Sequence, residues 1–302
     1  MIALDLPAPY ASRPLRLDDA TRVLDLVSAY QQRVLGEVLI EREDIDADWQ
    51  RPSTALGDLG CGVFDGQEMV GCGLVSADET CDGFVRPDHW GRGIGSAIAR
   101  WSWQVARAHE HETVGQTVPD ADAGARALFG ALGYQRRYSS WMLALLPGAP
   151  ISDRPLPEGY VLRDFVRDQD EQVAYRVIED AFNEWEGRVP QSYADWGATV
   201  LGRRGFEPGS LRLVQDASGA VVAACVLHLS DDIGWVHQLA VVASARGRGL
   251  AQALLADAFT RSRRRGRLRI ELSTDSRTGA LGLYQKAGMQ VTSSLTRWTK
   301  QL

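Results

Sequence analysis

The chain has 302 residues, of which 45% are hydrophobic and 24% are charged, a composition typical of a globular protein. Its length suits two domains of ordinary size better than one. The formal net charge of −6 argues against a general nucleic-acid binder, since such proteins usually carry a basic face.

Three sequence features bear on the cellular compartment. No apolar run approaches the roughly 18 residues that a membrane-spanning helix needs. The four cysteines show no CxxC spacing, so we expect neither a disulfide framework nor a bound metal. Residues 1–10 lack a basic region followed by an apolar run, so we expect no signal peptide. Together these features predict a cytoplasmic protein with no membrane, metal or nucleic-acid partner.

The predicted elements fall into two similar series. Residues 1–148 are expected to form an N-terminal domain and residues 158–302 a C-terminal domain. The stretch around residues 149–157 is rich in proline and glycine and is predicted to be a linker. In the C-terminal series, hydrophobic periodicity predicts strands over 160–165, 211–215, 220–229, 234–242, 268–273 and 291–299, and helices over 168–185, 250–265 and 278–287.

Strands that come first in hairpins and then alternate with helices indicate a mixed β-sheet with helices on both faces. The N-terminal series follows the same order less regularly. The sequence therefore predicts an α/β protein with two tandem domains, each a mixed central β-sheet flanked by helices on both faces.

Two motifs occur twice, which supports the duplication. The motif HWGRGIG ends at Gly95, and ARGRGLA ends at Ala251, 156 residues later. Downstream, ARALF ends at Phe129, and ALGLY ends at Tyr284, 155 residues later. Two distinct motifs that repeat in one order at nearly one spacing indicate a duplicated domain.

The glycine-rich turn at residues 246–251 joins a predicted strand to a predicted helix. Glycines let a backbone turn tightly and approach a ligand closely. The first turn of a helix has unpaired N–H groups, and its dipole favours negative charge. This combination predicts a pyrophosphate site, to which Arg246 and Arg248 add positive charge. The alternative is a basic loop that only caps the helix.

The pattern Arg246-x-x-Gly249-x-Ala251 resembles the R/Q-x-x-G-x-G/A signature of the GNAT superfamily of N-acetyltransferases. The segment from Leu283 to Met289 resembles the L-Y-x-x-x-G-F helix end of the same family. The resemblance covers nearly the whole chain, in the tandem two-domain form found in actinobacteria. It implies two GNAT-like domains and acetyl-CoA as the co-substrate.

The resemblance also implies a cofactor site. The strand main chain would pair with the pantetheine arm, and the amides of the glycine-rich turn would hold the pyrophosphate. The implied cofactor-binding residues are Leu239, Ala240, Val241, Arg246, Gly247, Arg248, Gly249, Leu250, Ala251 and Gln252. In the N-terminal half, a second candidate cofactor site consists of Gly91, Arg92, Gly93, Ile94 and Gly95.

The candidate catalytic residues follow from the same resemblance. Tyr284 stands at the position of the family's general acid, and a tyrosine hydroxyl keeps its proton at neutral pH. Many relatives carry a glutamate base where this chain has Trp235, which cannot accept a proton. His237 lies two residues on, on the same strand face, and is the candidate general base. For both Tyr284 and His237 the alternative is a packing role alone.

Two carboxylates after the first predicted helix of the C-terminal half, Glu184 and Glu186, are candidates for binding a cationic substrate. As surface residues they have the alternative of simple solvation. In the N-terminal half, Trp90 replaces the first residue of the signature and Phe129 replaces the tyrosine. We therefore expect the chemistry to reside in the C-terminal half.

The expected function is acetyl transfer from acetyl-CoA to the primary amine of a small molecule, by a monomer or a homodimer. Two alternatives remain open at this point. One is N-acetylation of a protein or peptide, which the shape of the substrate groove would decide. The other is a non-catalytic acyl-CoA-binding regulatory module, because the usual glutamate is missing.

Overall fold

The structure is a computed structural model that describes residues 2–302, and it divides into two compact units. The N-terminal unit comprises residues 2–139 and Ser294–Leu302, and the C-terminal unit comprises Ser140–Ser293. These units differ from the predicted ranges 1–148, 149–157 and 158–302, because residues 140–148 belong to the second unit and residues 294–302 to the first. The reason is the pairing of the last strand of each series.

The N-terminal series consists of β1 (Ala11–Pro14), α1 (Ala20–Leu35), α2 (Arg42–Trp49), α3 (Leu56–Leu59), β2 (Gly60–Asp65), β3 (Glu68–Val75), β4 (Cys81–Val85), α4 (Ile94–Ala108), β5 (Thr113–Pro119), α5 (Ala123–Ala131) and β6 (Gln135–Leu145). The C-terminal series consists of β7 (Val161–Asp164), α6 (Glu171–Phe182), α7 (Tyr193–Thr199), β8 (Leu211–Gln215), β9 (Val221–Leu229), β10 (Ile233–Val241), α8 (Leu250–Arg264), β11 (Arg269–Asp275), α9 (Leu281–Lys286) and β12 (Gln290–Gln301).

The last strand of each series explains the unit boundaries. Residues 140–145 of β6 pair antiparallel with β11 inside the C-terminal unit. Residues 295–301 of β12 pair antiparallel with β5 inside the N-terminal unit. The N-terminal series thus ends in a strand of the C-terminal unit, and the C-terminal series ends in a strand of the N-terminal unit. A boundary at the proline-rich stretch therefore does not separate the two units.

Two differences from the predicted elements have local causes. The helix predicted over 168–185 begins only at Glu171, because Asp168 has a φ of +68°, a left-handed conformation that does not continue into a helix. Helix α7 lies in a stretch where no helix was predicted. It begins where the Ser192 side chain accepts a hydrogen bond from the Asp195 N–H, and it buries Trp196 completely.

Helices cover both faces of the C-terminal sheet, as predicted. On one face α8 buries Leu250, Leu254 and Phe259 against Ile270 and Leu272 of β11. On the other face α6 and α7 bury side chains against Ala224 and Val226 of β9. The intervening β9 residues belong to the first core, which places the two cores on opposite faces of the sheet.

Strand β10 contains a β-bulge at His237. Val236 pairs with Leu227 and Gln238 pairs with Val226, so one residue of β10 has no counterpart on β9. Val236 consequently belongs to the α8 core, whereas Gln238 turns to the other face and accepts a hydrogen bond from Trp196 Nε1 at 3.0 Å. A bulge redirects side chains in this way and is frequent beside active sites.

In both units two parallel strands start together and then separate. β10 and β11 pair from Ile233–Trp235 to Arg269–Glu271, and a cavity lies between their following residues. In the N-terminal unit, β4 and β5 are joined at the bridge between Thr80 and Gly115, and a second cavity lies beyond it. Among residues 2–302, no helix has the length and apolarity required to span a membrane.

Candidate active site

The C-terminal cavity, of about 840 Å³, lies between the separated ends of β10 and β11, at the start of α8 and beside α9. It brings together most of the predicted site residues. Those that line it are Glu184, His237, Leu239, Ala240, Val241, Arg246, Gly247, Gly249, Leu250, Ala251, Gln252 and Tyr284. Arg248 and Glu186 are not among its lining residues.

The turn before α8 has the backbone that an anion site needs. Gly247 and Gly249 have φ values of +76° and +84°, so a side chain at either would be strained. Among the described residues, nothing lies within 4 Å of a β-carbon built at either glycine. Gly249 is the N-cap of α8 and supplies no side-chain cap, so the first-turn N–H groups are available to a phosphate.

Arg246 is fixed by two neighbours. Its Nε donates to the Val241 carbonyl at 2.9 Å, and its terminal nitrogens donate to both oxygens of Glu184 at 2.6 and 2.9 Å. These hydrogen bonds lower the pKa of the Glu184 carboxyl. Glu184 was a candidate for binding a cationic substrate. Its carboxylate is already engaged by the Arg246 guanidinium and orients that side chain.

Arg248 and Glu186 make hydrogen bonds but do not line the cavity. Arg248 donates to the Tyr160 hydroxyl at 3.0 Å and to the Ser244 carbonyl at 3.4 Å, which ties the turn to the segment that precedes β7. Glu186 accepts a hydrogen bond through its main-chain carbonyl from Arg277 at 3.1 Å. The structure thus gives Arg248 a contact that supports the turn.

Tyr284 projects from α9 into the cavity, with its ring in the α8 core. Only 9% of the residue is exposed. Burial raises the pKa of its hydroxyl to about 12, with a smaller contribution from Cys225. The hydroxyl therefore holds its proton throughout the physiological range, as a general acid for a thiolate must.

His237 stacks on a second histidine. The rings of His237 and His228 are 4.4 Å apart at an angle of 21°. His228 pairs with Trp235 across the strands, so the stacked histidines lie on the face of the sheet that Trp235 occupies. Burial, followed by the nearby His237 and Arg203, lowers the pKa of His228 well below its usual value. A neutral imidazole thus lies against His237.

The sequence did not predict an aromatic and charged group that also lines this cavity. Phe182 and Trp185 stack at 4.4 Å, and Arg277 donates to Asp275 at 2.7 Å. All four side chains line the cavity. Phe182 is the last residue of α6 and Trp185 follows it closely, but their stacking and their position in the cavity depend on tertiary packing.

The N-terminal cavity, of about 480 Å³, is built on the same plan. It is lined by Gly91, Gly93, Ile94 and Gly95 of the second candidate site but not by Arg92. Arg92 donates to the Tyr10 hydroxyl at 3.2 Å and to the Asp88 carbonyl at 3.0 Å, which repeats the contacts of its counterpart Arg248.

Trp90 makes one of the hydrogen bonds that Arg246 makes in the other half. Its Nε1 donates to the Val85 carbonyl at 2.8 Å, as Arg246 Nε donates to Val241 at 2.9 Å. The two carbonyls lie 156 residues apart, the spacing of the repeated turns. The tryptophan thus maintains the shape of the turn and removes its positive charge.

The N-terminal cavity has a tyrosine hydroxyl close to Phe129. Tyr134 lines the N-terminal cavity and packs on Phe129 with ring centroids 4.7 Å apart. Its oxygen accepts a hydrogen bond from Trp103 Nε1 at 2.7 Å, and burial raises the pKa of Tyr134 to about 12. Tyr134 lies 155 residues before Met289, at the spacing of the repeated motif, but the sequence alone does not indicate that its side chain enters the cavity.

Comparisons with known proteins agree with this architecture. The family model described as "Acetyltransferase (GNAT) family" matches residues 23–134 and 171–289, more than half of the chain. A mycothiol acetyltransferase of Salinispora arenicola is 33% identical over 222 residues, which cover 68% of this chain and 67% of that protein. A mycothiol acetyltransferase of Thermobispora bispora is 28% identical over 254 residues, which cover 78% and 80%.

Solved structures show the same arrangement. A GCN5-related N-acetyltransferase from Sphaerobacter thermophilus superposes with a TM-score of 0.78 at 28% identity, covering 98% of this chain and 96% of that one. A tandem GNAT protein from the clavulanic acid biosynthesis pathway superposes with a TM-score of 0.74 at 20% identity, covering 97% and 98%. These matches confirm the predicted tandem α/β fold.

Among residues 2–302, no group of three or more His, Cys, Asp and Glu side chains is arranged to hold a metal ion.

Proposed function

Because the chain belongs to the GNAT acetyltransferase family and is an acetyl-CoA-dependent N-acetyltransferase, we propose that its C-terminal half transfers the acetyl group to the primary amine of a small molecule. One observation carries this assignment. The open glycine turn before α8, the separated strands β10 and β11 and the protonated Tyr284 all line one cavity.

The cavity fits the co-substrate in shape and charge. The space beside Gly247 and Gly249 accepts a group that a side chain would displace. The amides of the first turn of α8 and the Arg246 guanidinium favour an anion there. The main chain from Leu239 to Val241, facing the gap between the strands, would pair with the amides of the pantetheine arm.

The reaction needs an amine in its neutral form, a bond from its nitrogen to the acetyl carbon, and a proton for the departing thiolate. We assign the last step to Tyr284, whose hydroxyl proton passes to the sulfur as the carbon–sulfur bond breaks. We assign removal of the amine proton to His237, which lines the same cavity. The His237 ring stacks on His228, which holds it in place within the cavity.

The lining of the cavity supports a small acceptor. Its volume of about 840 Å³ has to hold the arm of acetyl-CoA as well as the acceptor, which favours a small amine. The Phe182–Trp185 stack offers an apolar surface, and the paired Asp275 and Arg277 offer polar contacts beside it. The relatives named mycothiol acetyltransferase point in the same direction.

Turnover tests the proposal directly. Acetyl-CoA is incubated with the full chain and a panel of small primary amines, and separately with peptides that carry free α-amino or lysine groups. Thiol release is then measured. We expect turnover above the hydrolysis background with members of the small-amine panel. Turnover with peptides alone, or acetyl-CoA binding without any transfer, would contradict the proposal.

A further inference from the structure

The two cavities differ at one pair of facing positions. In the C-terminal cavity these positions are Leu239 on β10 and Leu272 on β11. The residues 156 positions earlier, at the spacing of the repeated turns, are Gly83 on β4 and Gln116 on β5, and both line the N-terminal cavity. Two leucines on the separated strands are thus replaced by a glycine and a glutamine.

Gln116 spans the gap between the strands. Its Nε2 donates to the main-chain carbonyl of Gly83 at 2.7 Å. A β-carbon at Gly83 would lie 3.2 Å from Gln116 Oε1 and 3.2 Å from Ile98 Cγ2, a tight approach. The glutamine amide therefore fits there because residue 83 has no side chain, and the two residues act as a pair.

This hydrogen bond has the chemistry of a pantetheine contact. Main-chain groups of β10 around Leu239 are where the arm of acyl-CoA would pair, and Gly83 is the matching residue of β4. A pantetheine amide would donate its N–H to such a carbonyl. Gln116 presents the same kind of donor from within the protein, so an entering arm has to displace it and leave the glutamine amide to find another partner.

The charged groups of the two cavities also disfavour CoA binding in the N-terminal half. Asp122, which accepts a hydrogen bond from the Tyr30 hydroxyl at 2.9 Å, brings a carboxylate to the N-terminal cavity. The guanidinium that Arg246 supplies in the other half is replaced by the uncharged Trp90. A polyanionic ligand such as CoA gains less here than in the C-terminal cavity.

From these contacts we infer that Gln116 is a specificity-determining residue that excludes pantetheine thioesters from the N-terminal cavity and so restricts acyl-CoA to the C-terminal half. The inference rests on the proposed function, which assigns acyl-CoA to that half. The N-terminal glycine turn is then an intact turn whose ligand path is closed by a side-chain amide.

The test uses the full chain with the C-terminal turn disabled by Gly249→Glu. Acetyl-CoA is titrated by calorimetry into this variant and into the same variant carrying Gln116→Leu. We expect no measurable binding in the first, and one site per chain in the second, an affinity gain of about tenfold or more. Gln116→Met is a second variant of similar side-chain length, and thermal unfolding verifies that each protein is folded.

Three results distinguish the outcomes. If the folded Gln116→Leu and Gln116→Met variants both fail to bind, Gln116 is not the determinant. If the Gly249→Glu protein binds acetyl-CoA with Gln116 in place and adding Gly93→Glu abolishes that binding, the N-terminal cavity is open and the inference is wrong. If binding persists with both glycines replaced, the proposed function has the wrong site, which is a separate failure.

The reciprocal change sharpens the test. The double variant Leu239→Gly/Leu272→Gln recreates the N-terminal pair in the C-terminal half. We expect it to weaken acetyl-CoA binding by about tenfold or more, whereas Leu272→Met, which adds no hydrogen-bonding amide, should have little effect. Equal affinities of the two variants would contradict the role of the amide.

Discussion

The two halves of this chain share a glycine turn, a pair of separating parallel strands and a cavity between them, yet they differ in the side chains that line the cavity. Where the C-terminal half has Arg246 and Tyr284, the N-terminal half has Trp90 and Phe129. Trp90 keeps the hydrogen bond to the strand end and loses the charge. The shape of the turn is thus independent of its charge, because an uncharged and a charged side chain make equivalent hydrogen bonds to the carbonyl at the strand end.

The largest effect is expected from disabling one turn at a time. Gly249→Glu places a carboxylate where phosphate would bind, and we expect it to abolish acetyl transfer. Gly93→Glu is a matched control, since Gly93 and Gly249 have nearly the same φ, +87° and +84°, and carry the same backbone strain. Steady-state thiol release should be retained in Gly93→Glu. The opposite pattern would assign the chemistry to the N-terminal half.

The next largest effect concerns the general acid. Tyr284→Phe should retain acetyl-CoA binding and lower turnover by roughly 10²–10⁴, the usual contribution of proton transfer by a positioned side chain. The matched change in the other half, Phe129→Tyr, should create no activity in a Gly249→Glu background. Unchanged turnover in Tyr284→Phe would show that the thiolate leaves without this proton.

The pKa of Tyr284 adds a pH dependence. Burial raises the pKa of Tyr284 to about 12, so its hydroxyl stays protonated up to about pH 11. Deprotonation of Tyr284 should therefore not reduce turnover below that pH. A fall in turnover that begins near pH 9 and disappears in Tyr284→Phe would contradict a protonated acid in this environment.

A smaller effect is expected at the base. His237→Gln should slow turnover by about 10², the lower end for general base catalysis. Higher pH should partly rescue the variant, because it neutralises the amine in solution. In the unmodified chain, the rate should fall at acid pH, where a histidine base gains its proton, and the variant should lose this dependence. A variant with an unchanged rate and pH profile would make His237 a residue of the sheet alone.

The smallest effect is expected when the first residue of the turn is exchanged between halves. Arg246→Trp copies Trp90 and should keep the hydrogen bond to the Val241 carbonyl while losing the charge. Because Arg246 is well exposed, we expect acetyl-CoA affinity to fall only about two- to fivefold, the range for exposed ion pairs. A loss of all binding would mean that the guanidinium, and not the backbone amides, dominates phosphate binding.

The sequence predicted those parts of the site that depend on local backbone geometry. The turn at residues 246–251 and the helix that follows it depend on glycines and on neighbouring residues, so their position could be predicted. Tyr284 could be placed because α9 and its motif are contiguous. The tandem fold followed from two motifs repeated at one spacing, and the comparisons confirm it.

Features that depend on register or on distant contacts could not be predicted. The bulge at His237 is one extra residue relative to β9, and an alternating pattern does not reveal which strand carries it. The pairing of β12 with β5 depends on which of two similar strands is available, which a hydrophobic pattern does not specify. The hydrogen bond between Gln116 and Gly83 joins residues on strands that have separated.

We propose one functional acyl-CoA site per chain, in the C-terminal half. The decisive measurement is calorimetric titration of acetyl-CoA into the full chain, Gly93→Glu and Gly249→Glu. We expect one site per chain for the first two proteins, with equal affinity, and no binding for the third. Two sites per chain in the unmodified protein, or loss of binding in Gly93→Glu instead of Gly249→Glu, would contradict it.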